Sequence, residues 1–191
     1  MRRILFEGIL ILFVALLPGF LAAQDASEQG ATAQDAMAQA DALYEQGGLD
    51  NLLKSAELYA QILESDPGSY DAAWKAYLPA VVQENMGKIT NNPFLYYLPP
   101  ESDPEFDAKY ERQVEAATTA VGRGIQKNNM LAFGSPASAR MADMIEVAFK
   151  DVPADTLEGV RILFIGEAAD NDRVRAVLAP TGAEYVFIEA K

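Results

Sequence analysis

The chain has 191 residues, half of them apolar, and a formal net charge of −13. That acidity excludes the basic face that nucleic acid requires, so no nucleic-acid partner is expected. With no Cys and no His, Ser-His, Cys-His and thiol redox chemistry are excluded, and zinc and copper lose their usual ligands.

The N-terminus opens on Met1-Arg2-Arg3 and runs without charge from Gly8 to Ala23, with Pro18-Gly19 ahead of the small residues Ala22-Ala23. That order is the form of a secretory signal peptide. Residues 1–23 are therefore read as a leader cut after Ala23, and a periplasmic or secreted location follows. The other reading is an uncleaved anchor, for which the run is a little short of the ~20 residues a spanning helix needs. Once the leader is cut, no stable membrane insertion is expected. Residues 24–33, rich in Ala, Gln and Ser, are expected to form a disordered lead.

A helical body is expected over 34–150. Ala36, Ala40, Leu43 and Tyr44 recur at helical spacing over 34–46, and Gly47-Gly48 ends that helix. Asp50 is an expected N-cap for a second helix with an apolar stripe of Leu52, Leu53, Ala56, Tyr59, Ala60 and Leu63. Asp66-Pro67-Gly68 stops it. Ser69 is placed to cap a third helix with a small-residue face of Ala72, Ala73, Ala76 and Ala80, and Pro79 is expected to kink it.

The stretch from Ala40 to Tyr77 resembles a tetratricopeptide-type helix-turn-helix repeat, with Gly47, Ser55, Tyr59, Ile62 and Pro67 at the characteristic positions. It departs from the repeat in the spacing between the first two helices, where GGLDNLL is inserted. It is also similar to the T-component (TatT-like) proteins of TRAP-type uptake systems. The resemblance implies irregular helix pairs, docking with a solute-binding partner and an accessory role in transport.

Ile89 to Ser102 interrupts the helices. Phe94-Leu95-Tyr96-Tyr97-Leu98 lies between Asn92-Pro93 and Pro99-Pro100, and has two readings: it seals the core, or it forms a lip facing a ligand or partner. A fourth helix follows, capped by Ser102 or Asp103 with Pro104 at its first position. Its seam is Phe106, Tyr110, Val114, Ala117, Val121 and Ile125. Met130 to Gly134 reads as the connection to a fifth helix that ends near Lys150. That helix points Met141, Met144, Ile145, Ala148 and Phe149 inward as the antiparallel mate of the fourth.

The period changes after Pro153. Val160 to Ile165 and Glu184 to Glu189 read as strands around a short helix bearing Val174, Val177 and Leu178, a βαβ order that favours a parallel pair. Residues 151–191 are thus expected to form a small α/β cap that packs on the fifth helix or is extended by another chain, through strand addition or a second copy at an edge. The strand-Gly-acidic loop-helix order lacks a phosphate-binding glycine pattern. Asp170-Asn171-Asp172 lacks the alternation of a calcium loop.

The expected fold is mainly α, with tetratricopeptide-like antiparallel helix pairs and a small C-terminal βαβ element. No cofactor, metal or catalytic residue is assigned. The expected function is that of a non-enzymatic interaction module for a partner protein or small ligand. The alternatives are a structural subunit of an envelope complex and a carboxylate-based hydrolase. The candidate contact residues are Tyr59, Trp74, Tyr77, Phe94, Tyr96 and Tyr97, large aromatics on the helix faces and in the proline-bracketed stretch.

Overall fold

The computed structural model describes residues 33–65 and 69–190. The expected leader, the lead up to residue 32 and the Asp66-Pro67-Gly68 turn lie outside them. Helices predominate, as expected, with six α-helices among the described residues.

The first three helices are α1 (Ala33–Gln46), α2 (Leu49–Ser65) and α3 (Tyr70–Glu84). They pack on one another around Ala40, Tyr59, Ile62 and Ala72. Gly47 and Gly48 both take positive φ, +64° and +80°, which glycine adopts without a Cβ penalty. The chain therefore reverses within two residues and α2 starts at Leu49. Asp50, expected as the cap, sits inside the first turn of α2, where its charge still favours the helix dipole. Helix α3 continues through Pro79 to Glu84. Ser69 occupies its N-cap position without a side-chain hydrogen bond.

The rest of the chain alternates strand and helix: β1 (Phe94–Tyr97), α4 (Phe106–Gly122), β2 (Met130–Gly134), α5 (Ser138–Phe149), β3 (Arg161–Gly166), α6 (Ala168–Leu178), a 3-10 turn (Ala179–Thr181) and β4 (Glu184–Glu189). The strands form one parallel sheet in the order β1-β2-β3-β4. This corrects the expected two-stranded cap. The C-terminal strands β3 and β4 are half of a sheet whose other half comes from the aromatic stretch and from the supposed connection at Met130–Gly134. Residues on both sides of position 150 thus share one sheet. Parallel neighbours need long crossovers of one hand, and α4, α5 and α6 supply them on one face. Helices α4 and α5 follow parallel strands, so they run side by side in the same sense. They are not the antiparallel pair expected.

The period of two along each strand divides the core. Tyr96, Leu131, Phe133, Ile162 and Phe164 point to the α4–α6 face. Tyr97, Met130, Ala132, Leu163 and Ile165 point to the face that α3 covers with Leu78, Val81 and Val82. Burial on both faces explains why β2 and β3 read as unbroken apolar runs. The seam of α4 packs into the first of these clusters along its whole length. Its helix begins at Phe106, two residues later than expected. Asp103 serves the turn ahead of it, accepting the Glu105 N–H at Oδ1 (2.7 Å) and the Lys109 ammonium at Oδ2 (2.8 Å).

Where α3 crosses the sheet, it lies directly on β2 at Gly134. A Cβ there would run into the Leu78 side chain, which is fully buried. Gly134→Val is expected to cost about 1–3 kcal/mol through overpacking. Urea denaturation read by circular dichroism checks this, and an unchanged midpoint would mean that α3 yields at this crossing.

Candidate functional site

Among the described residues, strand β1 has a neighbour on one side only. Its other side faces a groove of about 1010 Å³ between α1 and α3 on one wall and α4 on the other. Pro93 and Pro99 bracket the floor, and Phe94, Leu95, Tyr96 and Tyr97 line it. Prolines at the ends of an edge strand are compatible with pairing, because they withhold N–H groups only at the margins. In a parallel strand, main-chain groups alternate in direction, so part of β1's backbone hydrogen-bonding capacity faces the groove.

The α1/α3 wall carries an ionic and aromatic cluster. Lys75 extends from α3 and places Nζ 2.6 Å from Asp41 Oδ1 and 3.0 Å from Asp71 Oδ2. The Tyr59 hydroxyl donates to the same Asp41 oxygen (2.6 Å), and the Tyr97 hydroxyl donates to Asp71 Oδ1 (2.7 Å). The ammonium lies 5.9, 5.4 and 5.9 Å from the ring centroids of Tyr44, Tyr59 and Tyr97, within cation–π range. Tyr44 meets Tyr59 and Tyr97 edge-on at 6.2 and 6.1 Å. Its hydroxyl is the one buried side-chain polar atom among the described residues without a hydrogen-bond partner. Burial, reinforced by the nearby carboxylates, pushes the Tyr44, Tyr59 and Tyr97 hydroxyls well above the ordinary tyrosine value. All three stay protonated, and two act as donors that hold the carboxylates in place.

The opposite wall is held by α4. Lys109 bridges Asp103 and Glu105 (2.8 and 3.5 Å), and Arg112 and Gln113 line the groove beyond it. The charged side chains of the groove belong to both signs, and the deeper ones are paired.

The expected contact residues divide here. Phe94, Tyr96 and Tyr97 line the groove, and Tyr59 backs the cluster from α2. The aromatic stretch divides residue by residue, with its inner part in the core, as the sealing reading expects. Phe94 is 49% exposed, whereas Tyr96, Tyr97 and Leu98 are buried. Tyr96 stacks on Phe133 at 4.8 Å. Trp74 and Tyr77 stand apart from the groove. They meet edge-on at 6.0 Å and pack against the α3 side of the sheet. The residues that sequence reasoning missed are Asp41, Tyr44, Asp71 and Lys75. A local signal existed in the i,i+4 pair Asp71–Lys75 and in Asp41–Tyr44, three apart on α1. Such pairs decorate solvated helices equally often, so the signal did not stand out.

No family model, curated protein or solved structure matches the chain. The site is therefore read from its own chemistry.

A second cluster sits where ligands commonly bind in open parallel sheets, beyond the carboxyl ends of the strands. The Ser138 hydroxyl donates to Asp170 Oδ2 (2.6 Å) and accepts the Glu167 N–H (2.8 Å). Arg173 donates to Asp170, Asp143 and Glu146 and to the Ala139 carbonyl. Every member is engaged, and the Asp170 carboxylate that accepts from Ser138 is itself held by Arg173. This network ties α6 to α5. Among the described residues no group of acidic side chains could hold a metal ion, and no helix is long and apolar enough to cross a membrane.

Proposed function

We propose that this protein is an exported, non-enzymatic docking module, and that its groove takes an extended segment of a partner protein as an added strand on β1. The observation that carries this reading is the groove itself, about 1010 Å³, floored by the side of β1 that no described strand pairs. Strand addition takes affinity from main-chain hydrogen bonds and specificity from side-chain pockets. At about 3.3 Å per residue, the four residues of β1 match a short extended peptide. Export rests on the signal-like leader. The α1–α3 wall fits tetratricopeptide-like helix pairing, and an accessory role in solute uptake follows from the sequence resemblance stated above.

Strand addition has a signature that does not depend on knowing the partner. Peptides are selected from a random twelve-residue display library against the purified protein, and each is then resynthesised with N-methyl groups at alternate positions. In one phase N-methylation removes the N–H groups that face β1, and affinity is expected to fall about tenfold or more, each lost pairing being worth around 1 kcal/mol. In the other phase it is expected to stay within about twofold. Equal loss in both phases, or a library that yields no binder, overturns the reading.

Phe94→Ala removes the exposed ring from the groove floor. It is expected to weaken the selected peptides by about tenfold, the scale of an aromatic contact at an interface, with little change in the unfolding midpoint. Calorimetric titration and thermal melting measure the two effects on the same sample.

A further inference from the structure

The cluster around Lys75 has the composition of an aromatic cation cage with its own side chain inside. Three tyrosine rings surround one ammonium, and two carboxylates hold it. Asp41, Tyr44, Asp71, Lys75 and Tyr97 all line the groove, so the cage opens into it. The carboxylates are more accessible than the cation they hold. The Asp41 and Asp71 side chains are 41% and 37% exposed, and that of Lys75 is 16% exposed. Two carboxylates against one ammonium leave the cage net negative, and Glu45 adds charge of the same sign to that wall. The buried Tyr44 hydroxyl has no partner among the described residues, so the cage holds a polar atom that its present occupant does not satisfy.

These features select for positive charge and against negative. A carboxylate or phosphate entering here would meet three acidic side chains, with the one local ammonium already shared between two of them. A second ammonium would meet rings and carboxylate oxygens already aligned for such a group. Displacement of Lys75 exchanges one cation for another of the same chemistry. The ion pairs are remade, and Lys75, on a flexible stem, moves into water. The internal occupant keeps the carboxylates from repelling each other while the groove is empty.

We propose that this cage is the cation subsite of the groove: it takes a primary ammonium group, carried by a lysine side chain of the docked segment, and Lys75 is the internal stand-in that this group displaces. The lysine source rests on the docking reading given above, whereas the cage rests on its own geometry.

The test uses the whole mature protein and n-butylammonium chloride as the probe, with sodium chloride at equal ionic strength as the control. The Lys75 side-chain resonances are followed by NMR in isotopically labelled protein. The expected result is a saturable shift of the Lys75 signals toward free-lysine values with n-butylammonium and not with sodium. Lys75→Ala, with the cage vacated, is expected to bind the probe about tenfold tighter than the unaltered protein. A lysine that is only a structural ion pair would not leave its place in the unaltered protein, so Lys75 signals that respond alike to both salts overturn the cage. If Lys75→Ala does not fold, that titration of the unaltered protein alone decides.

The docking reading is separated by the selected peptides. Replacement of a peptide lysine by norleucine is expected to cost about tenfold in affinity. Peptides that keep the alternating N-methyl pattern yet ignore this replacement overturn the lysine assignment and leave strand addition standing. Probe binding with no peptide binding supports the cage and overturns peptide docking.

Discussion

Phe133→Ala is expected to destabilise the protein by about 3–5 kcal/mol, the range for emptying a large aromatic from a packed core. Phe133 sits in the middle of β2, an inner strand, and is fully buried. Its ring stacks on Tyr96 at 4.8 Å and meets Phe149 edge-on at 6.0 Å. It therefore joins the edge strand, the inner strand and α5 through one side chain. Tyr96 belongs to the groove floor, so the cavity left by Phe133 should also loosen β1. Equilibrium urea unfolding gives the loss in stability. Hydrogen exchange then tells whether β1 amides lose protection ahead of β3 amides, as this packing requires. A double-mutant cycle with Tyr96→Ala is expected to return about 0.5–1.5 kcal/mol of coupling. A coupling near zero would mean that the stacked rings do not act as a unit.

The second large effect is expected at Asp170. Its carboxylate is nearly buried and accepts from the Ser138 hydroxyl and the Arg173 guanidinium. Asp170→Ala strips both bonds at once and leaves Ser138, also buried, with its hydroxyl proton unpaired. A hydrogen bond to a charged partner contributes about 1.5–3 kcal/mol, and an orphaned buried donor adds a penalty of similar size. Arg173 retains Asp143, Glu146 and the Ala139 carbonyl, which limits the damage. The expected total is about 2–4 kcal/mol. Asp170→Asn keeps an acceptor and should cost less than half as much. Chemical denaturation of the two variants checks the order. Equal losses would mean that the charge, and not the acceptor geometry, carries the tie. Peptide binding at the β1 groove should be unaffected in either variant, since the network lies at the other end of the sheet's helical layer.

Much of the helical content was legible because it is written in local periodicity. The α4 seam from Phe106 to Val121 packs as its spacing requires, Ile125 joins the same cluster from beyond the helix end at Gly122, and the inward face of α5, Met141 to Phe149, is buried throughout. Strands β3 and β4 were legible because Val160–Ile165 and Glu184–Glu189 are dense in β-branched and aromatic residues between turn signals. The two short strands were not. Met130–Gly134 is five residues with no alternation, and an apolar run of that length fits a buried strand and a buried connection equally well. Phe94–Tyr97, set between prolines, reads as an interruption that seals the core or forms a lip, with no strand signal of its own. It is an edge strand, where proline at the margins is tolerated.

The candidate site was half legible for the same reason. Tyr59, Phe94, Tyr96 and Tyr97 stood out as large aromatics and belong to the groove or its backing. Trp74 and Tyr77 stood out equally and pack elsewhere. Composition flags an aromatic but says nothing about which face of the fold receives it. Asp41 and Lys75 went unnoticed because their ion pair joins two helices 34 positions apart, a relation that no local pattern encodes.

By itself, then, the sequence determined which chemistry is absent, since a chain without Cys or His lacks those nucleophiles and ligands however it folds. It also determined which segments are helical, because helix hydrogen bonds close within four residues and amphipathic spacing reports them. The tertiary structure decided strand order, the exposed side of β1 and the cage around Lys75. Parallel pairing joins segments separated by whole helices. Whether a strand ends up inside the sheet or at its edge depends on every other strand in the sheet.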